Sequence, residues 1–196
     1  RITALPFGDE QPGDIKSECG VLNVDEEIPV CISYYYDSNL WGAWYREAED
    51  SGNDPFPRRS WRKIIVDDDG TIGKYSSILI DTSGLAHMIY YSDTNNDLMH
   101  ISQQDSDSDD GKSNWSAWGD SEGKPTVIDG MSTGRDKHAG QYATASIRKK
   151  AIRNNAIEEM HVLYRTSSER IAHMYSISDN ANDSERAWKK TTVASD

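Results

Sequence analysis

The sequence is poor in several features, and each shortage removes a class of function. No apolar run is long enough for a membrane-spanning helix, so we expect a soluble chain with no membrane insertion. The chain has 21 basic against 33 acidic residues, a net charge of -12 at pH 7. A surface with that charge repels nucleic acid and other polyanions, so we expect no nucleic-acid partner.

Catalytic signatures are also missing. The sequence contains no glycine-rich phosphate loop, no nucleophile elbow, no paired-cysteine metal motif and no dinucleotide fingerprint. These absences argue against covalent and nucleotide-dependent chemistry, and we expect no cofactor.

Weak signals point to the secretory route. The chain starts at Arg1 without a methionine or a signal peptide, which indicates processing, truncation or proteolysis. N-glycosylation sequons begin at Asn114 and Asn182, and Cys19 and Cys31 are either a disulfide or two free thiols. We therefore expect a secreted or extracellular glycoprotein.

What the chain does have is an internal repeat. Four short β-rich runs, separated by Gly, Asn, Asp and Ser turns, recur three times in the same order. The runs cover residues 19–25, 28–37, 40–45 and 60–66, then 75–81, 87–93, 97–102 and 114–118, then 142–147, 160–164, 170–175 and 187–193.

Four such runs predict a four-stranded antiparallel meander, which is one blade of a β-propeller. Runs 30–35 and 87–91 are almost continuously apolar or aromatic, as expected for strands covered on both faces. We predict an all-β propeller segment with blades at about residues 17–66, 74–128 and 140–194, and residues 1–16 completing a neighbouring blade. Three blades do not close a ring, so we expect a homodimer or a second half-propeller that completes six blades.

Segment 147–159 is the best helical candidate. It contains a plausible turn at Asn154-Asn155 and lies where a hairpin between a first and a second strand belongs. We predict a long hairpin, with a short helix as the alternative.

The repeat resembles a known family. A Tyr-rich second strand, a short turn, Leu or Ile with a polar residue two places on, and then a Trp is similar to the fungal fucose-specific lectins. The resemblance implies a six-bladed propeller with sugar sites between adjacent blades, where a second-strand Arg and a third-strand Glu hold the sugar hydroxyls. It also implies a possible use as a secreted fungal biosynthetic enzyme, since similar propellers catalyse hetero-Diels–Alder cycloadditions.

Histidines stand where the family has its sugar-binding residues. The Arg position falls on His87 and His161, and the Glu position on His100 and His173. In the first blade, Val30 and Ala43 fall there. The histidines either contact a ligand in the clefts between blades or are packing residues bonded to neighbouring backbone groups. Two ligands per blade are too few for zinc, so we expect no metal.

Aromatic side chains are the other candidates. Trp61, Trp115 and Trp188 recur at the same place in each blade, which indicates packing. Trp41 and Trp44 have no equivalents and are better candidates for stacking on a ligand. The further candidate contacts are Tyr91 and Tyr164.

The acidic run 105–111 resembles a calcium loop, but Gly111 comes one place late and Ser116 replaces the bidentate Glu. We interpret this run as a solvated loop.

The leading hypothesis is therefore a propeller that binds a glycan or another small ligand between its blades. The first alternative is a cofactor-independent enzyme of the hetero-Diels–Alderase type, in which an aromatic and histidine-lined pocket orients the reactants. The second is a structural or adhesive module. No catalytic residue can be assigned from the sequence.

Overall fold

The computed structural model describes residues 15–19, 30–47, 59–81, 85–104, 118–119, 124–152, 155–178 and 187–193. Every regular element in these residues is a β-strand, which confirms the all-β class. Within them there is no helix with the length and apolar character needed to cross a membrane. The strands are β1 (Ile15–Cys19), β2 (Val30–Tyr36), β3 (Asn39–Glu47), β4 (Arg59–Asp67), β5 (Ile72–Ile80), β6 (Ala86–Ser92), β7 (Asp97–Ser102), β8 (Thr126–Gly130), β9 (Ala139–Ile152), β10 (Asn155–Thr166), β11 (Ile171–Ser178) and β12 (Trp188–Thr192).

These strands form three four-stranded antiparallel sheets, each with its strands adjacent in chain order. We call them the first sheet (β1–β4), the second sheet (β5–β8) and the third sheet (β9–β12). Tight turns explain this meander. Asp37 and Ser38 join β2 to β3 with φ of 49° and 68°, and two successive left-handed residues are what a type I′ hairpin turn requires.

The sheets pack face to face in chain order. β5 contacts three strands of the first sheet, and β9 contacts all four strands of the second. β6 is buried at all seven positions, as expected for a strand covered on both sides. The core between the first and second sheets contains Cys31, Leu40, Ile72, Ile78, Ala86, Met88, Tyr90, Met99, Ile101 and Trp118. The core between the second and third contains Leu79, Ile89, Leu98, Ile128, Ala139, Ala143, Met160, Val162, Tyr164, Ala172 and Met174.

At each of the two sheet interfaces, a glycine near the start of the later sheet's first strand sets the spacing. Gly73 has φ +93°, and a Cβ there would lie 2.7 Å from the Leu40 Cα of the preceding sheet. Gly140 has φ +110°, and its Cβ would lie 3.0 Å from the Leu98 Cα. Only glycine combines this backbone conformation with so close an approach. The second and third sheets are therefore placed by the same device.

A tyrosine-to-aspartate hydrogen bond also recurs between sheets. The Tyr90 hydroxyl in the second sheet donates to Asp67 at the end of β4. The Tyr164 hydroxyl in the third sheet donates to Asp129 near the end of β8. Each bond joins the second strand of one sheet to the last strand of the sheet before it.

The structure settles the question of segment 147–159. β9 and β10 pair in register from Ile152↔Asn155 to Ser146↔His161, so the segment forms the predicted hairpin and not a helix. Asn114, Trp115, Asn182 and the acidic run 105–111 lie outside the described residues, as do the side chains of Cys19, Trp44 and Trp61. The sequons and the disulfide stay predictions. Cys31 itself is fully buried.

Candidate functional site

The four repeated histidines form two pairs at equivalent places. His87 on β6 and His100 on β7 belong to the second sheet, and we call them the buried pair. His161 on β10 and His173 on β11 belong to the third sheet, and we call them the open pair. In each pair the β-hairpin register sets one histidine diagonally across from the other, because Ile89 faces His100 and Leu163 faces His173.

The two rings of each pair lie edge to edge in one plane. In the open pair, His161 Nδ1 lies 2.9 Å from His173 Nε2, the ring centroids are 5.2 Å apart and the ring planes differ by 8°. In the buried pair the corresponding values are 3.1 Å, 5.3 Å and 14°. The ring planes are nearly parallel, but the ring centroids are much farther apart than the two bonded nitrogens. The rings are therefore not stacked face to face. Each pair is a flat surface about two rings wide.

The buried pair is enclosed between the second and third sheets. His87 and His100 are each 3% exposed. His87 Nε2 lies 3.1 Å from Asp81 Oδ2, and the other oxygen of Asp81 accepts a hydrogen bond from the Leu85 backbone N–H at 2.8 Å. The indole of Trp188, from β12, meets the His100 ring edge to face at 5.7 Å. Protein atoms therefore cover both rings of this pair almost completely.

The open pair lies on the outer face of the third sheet, the face turned away from the second sheet. A cavity of about 380 Å³ opens there, lined by Thr144, Ala145, Ser146, His161, Leu163, His173 and Val193. The His161 side chain is 28% exposed. His173 Nδ1 lies 2.9 Å from Thr191 Oγ1. Hydroxyl groups, imidazole rings and aliphatic side chains therefore line the same open space.

The contrast between the pairs follows from the position of their sheets. The outer face of the second sheet is covered by the third, and its apolar residues Ile89, Leu98 and Ile128 are at most 1% exposed. The equivalent residues of the third sheet are Leu163, Ile171 and Val193, which are 41%, 49% and 53% exposed. Residues of the same kind at the same register are thus buried in one sheet and exposed in the next.

The electrostatics of the open pair favour a neutral ring at His173. Burial lowers the pKa of His173 below its ordinary value, and the neighbouring His161 lowers it further, since two charged imidazoles would repel each other. His161 Nε2 lies 3.5 Å from Glu159 Oε2. An arginine guanidinium, from Arg148, lies 3.8 Å from the same oxygen.

The predicted tyrosine contacts are both packed. Tyr164 is 1% exposed and bonded to Asp129. Tyr91 is 2% exposed, and its hydroxyl donates to Asn96 at 2.8 Å. Neither tyrosine lines the cavity of the open pair.

The predicted tryptophans lie on β3, away from both histidine pairs. Trp41 packs with Tyr34 on the face of the first sheet turned away from the second. Its indole N–H donates to the Tyr36 carbonyl at 3.1 Å, and Lys63 Nζ lies 5.6 Å from its ring centroid. For Trp44 the structure gives the backbone position alone.

The first sheet corrects one alignment made from the sequence. The residues equivalent to the histidines there are Cys31 and Gly42, which face the second sheet, and not Val30 and Ala43. Ala43 packs on the opposite face. The alignment was wrong by one residue, and a shift of one residue in a strand exchanges its two faces.

Sequence reasoning also missed the polar partners of the histidines. Glu159 lies two positions before His161 and shares its face of β10, since side chains alternate along a strand. Thr191 faces His173 across β11 and β12. Both partners follow from strand alternation and pairing once the register is known. Asp81 comes just after β5, and only the fold brings it to His87.

Metal binding has no support in the described ranges, where no three His, Cys, Asp or Glu side chains are grouped so that they could hold an ion. No protein-family model matches the sequence, and no curated protein or solved structure is significantly similar to it.

Proposed function

We propose that the three sheets are consecutive blades of a β-propeller. Three features support this assignment: each sheet is a four-stranded meander, the sheets stack in chain order, and the glycine and tyrosine contacts repeat from one interface to the next. On this proposal a homodimer, or a second half-propeller, supplies the three blades that complete the ring. The exposed residues Leu163, Ile171 and Val193 are the place for the next blade.

The function we propose is binding of a small neutral ligand, most simply a glycan, at the open pair. One observation carries this proposal. Of two equivalent histidine pairs, one is enclosed and covered by Trp188, whereas the other lines an open cavity. The next blade would supply the second wall of this cavity. It cannot repeat the packing of the third sheet on the second, because that packing encloses the buried pair.

The lining suggests the chemistry of the ligand. Ser146 and Thr144 are exposed hydroxyls that can donate to or accept from the hydroxyls of a sugar. Leu163 and Val193 offer apolar contact. The plane of the imidazoles suits the C–H face of a pyranose ring, and the edge-to-face contact between Trp188 and His100 is an internal example of such packing.

A glycan array tests this proposal. We expect the wild-type protein to bind a defined set of glycans, and His161→Ala and His173→Ala each to abolish that binding. His138→Ala is the matched control, because His138 is exposed, is bonded to Asn96 and does not line the cavity. Absence of binding from a folded wild-type protein would overturn the proposal, as would binding that survives both substitutions.

A further inference from the structure

A carboxylate stands at the same end of both histidine pairs. Asp81 lies 3.1 Å from His87 Nε2 in the buried pair. Glu159 lies 3.5 Å from His161 Nε2 in the open pair. The two acids come from different places, Asp81 from the end of β5 and Glu159 from within β10. A carboxylate therefore faces Nε2 of the first histidine in both pairs, hydrogen-bonded in the buried pair and at 3.5 Å without a hydrogen bond in the open pair.

A carboxylate at this position decides where the ring protons lie. A neutral imidazole has one N–H and one bare nitrogen. Nε2 of His161 is disfavoured as the unprotonated nitrogen, because its lone pair would then face the negatively charged oxygen of Glu159. The proton thus belongs on Nε2, and Nδ1 becomes an acceptor. His173 must then donate from its own Nε2, and its Nδ1 accepts a hydrogen bond from the Thr191 hydroxyl.

We propose that Glu159 is a positioning residue that holds both histidines of the open pair in the Nε2–H form, with hydrogen bonds pointing from Thr191 to His173 and from His173 to His161, and with the His161 Nε2–H facing the carboxylate at 3.5 Å without a hydrogen bond to it. This inference rests on the proposed function, because it specifies the state in which the site receives its ligand. Arg148 Nη1 lies 3.8 Å from the same Glu159 oxygen and places a positive charge beside this carboxylate.

Other ionisable side chains also lie on the outer face of the third sheet. Arg148 comes from β9, Tyr175 from β11 and Lys189 from β12, where it faces Tyr175. The Tyr175 ring centroid lies 5.8 Å from that of His173. Arg165, farther along β10, is paired with Glu169 at 2.8 Å. Glu159 is the charged group that contacts His161 Nε2, so the carboxylate sets the polarity.

Histidine ¹⁵N NMR of the ligand-free protein tests the inference without depending on the ligand. We expect His161 and His173 in the wild type to show Nε2–H signatures at neutral pH. Glu159→Gln should give a mixture of tautomers at both histidines. Glu169→Gln, an exposed glutamate outside the cavity, is the matched control and should leave the spectrum unchanged.

The outcomes separate the two proposals. Nδ1–H forms in the wild type, or a tautomer pattern unchanged in folded Glu159→Gln, would overturn the role of Glu159 whether or not a glycan binds. The expected tautomers in a protein that binds no glycan would uphold the role of Glu159 and overturn the proposed function alone.

Discussion

The Tyr164 hydroxyl donates a hydrogen bond to the Asp129 carboxylate across the interface of the second and third sheets. The Asp129 side chain is completely buried, and Lys190 Nζ lies 2.6 Å from the same oxygen. Burial raises the pKa of Tyr164 well above its ordinary value, and Asp129 raises it further, so the phenol stays protonated and remains a donor. This bond ties neighbouring sheets together where their strands end.

Removing the Tyr164 hydroxyl leaves a buried carboxylate with one fewer donor. We expect Tyr164→Phe to lower the free energy of unfolding by about 1–3 kcal/mol, as for a lost hydrogen bond to a buried charge. Urea denaturation measures this, with Tyr142→Phe as the control because Tyr142 is 62% exposed. Equal stability of Tyr164→Phe and wild type would show that the bond does not hold the sheets together.

The glycine contact between sheets makes a second prediction. Gly140→Ala forces a Cβ to within 3.0 Å of the Leu98 Cα at φ +110°, so it should destabilise the protein by roughly 1–3 kcal/mol. Gly134 also has a positive φ, +68°, but no atom lies within 4 Å of a Cβ built there. Gly134→Ala should cost about 1 kcal/mol, the backbone cost alone. Thermal unfolding of both variants would show whether close approach matters, and equal losses would argue against it.

The lowered pKa of His173 predicts how stability changes in acid. A histidine whose pKa is lower in the folded state binds fewer protons there than in the unfolded chain. Its contribution to stability is therefore complete above the unfolded pKa of about 6.5 and is lost as the pH falls through the folded value. We expect Tm to decrease on acidification below about pH 6.5, and to decrease less in His173→Gln. A Tm profile identical in the two proteins would contradict this.

The exposed apolar face of the third sheet predicts an assembly. We expect the wild type to sediment at twice the 22.0 kDa of one chain, and Leu163→Lys or Ile171→Lys to shift it to a single chain, because a charge would then lie in the interface. Met131→Lys is the control, as Met131 is 64% exposed in the connection between β8 and β9. A wild type that sediments as one chain would contradict the homodimer.

The sequence predicted four antiparallel strands in each sheet, because most strands are apolar or aromatic and bounded by turn residues. It misplaced two of them: the first strand is Ile15–Cys19 and not 19–25, and the last strand of the second sheet is Thr126–Gly130 and not 114–118. The Asp37-Ser38 turn separates β2 from β3, and turns of Gly, Asn, Asp and Ser recur along the chain. The histidine pairs were visible for the same reason, since a short hairpin fixes which positions of two strands meet. His87 with His100 and His161 with His173 follow from that spacing.

What the sequence did not reveal depends on the packing of whole sheets. The two histidine pairs look alike in the sequence, and only the stacking order makes His87 buried and His161 accessible. The one-residue error at Cys31 arose because either face of that strand is apolar, so composition does not distinguish them. Asp81 reaches His87 through a turn whose path the residues alone do not specify.

We propose that the open pair is the ligand-binding site of this protein. Titration with a panel of methyl glycosides, followed through the histidine and methyl NMR signals, tests this directly. We expect a binding sugar to shift His161, His173, Leu163 and Val193 and to leave His87 and His100 unchanged. Shifts centred on another part of the chain, or no shifts with any glycoside that the array selects, would contradict it.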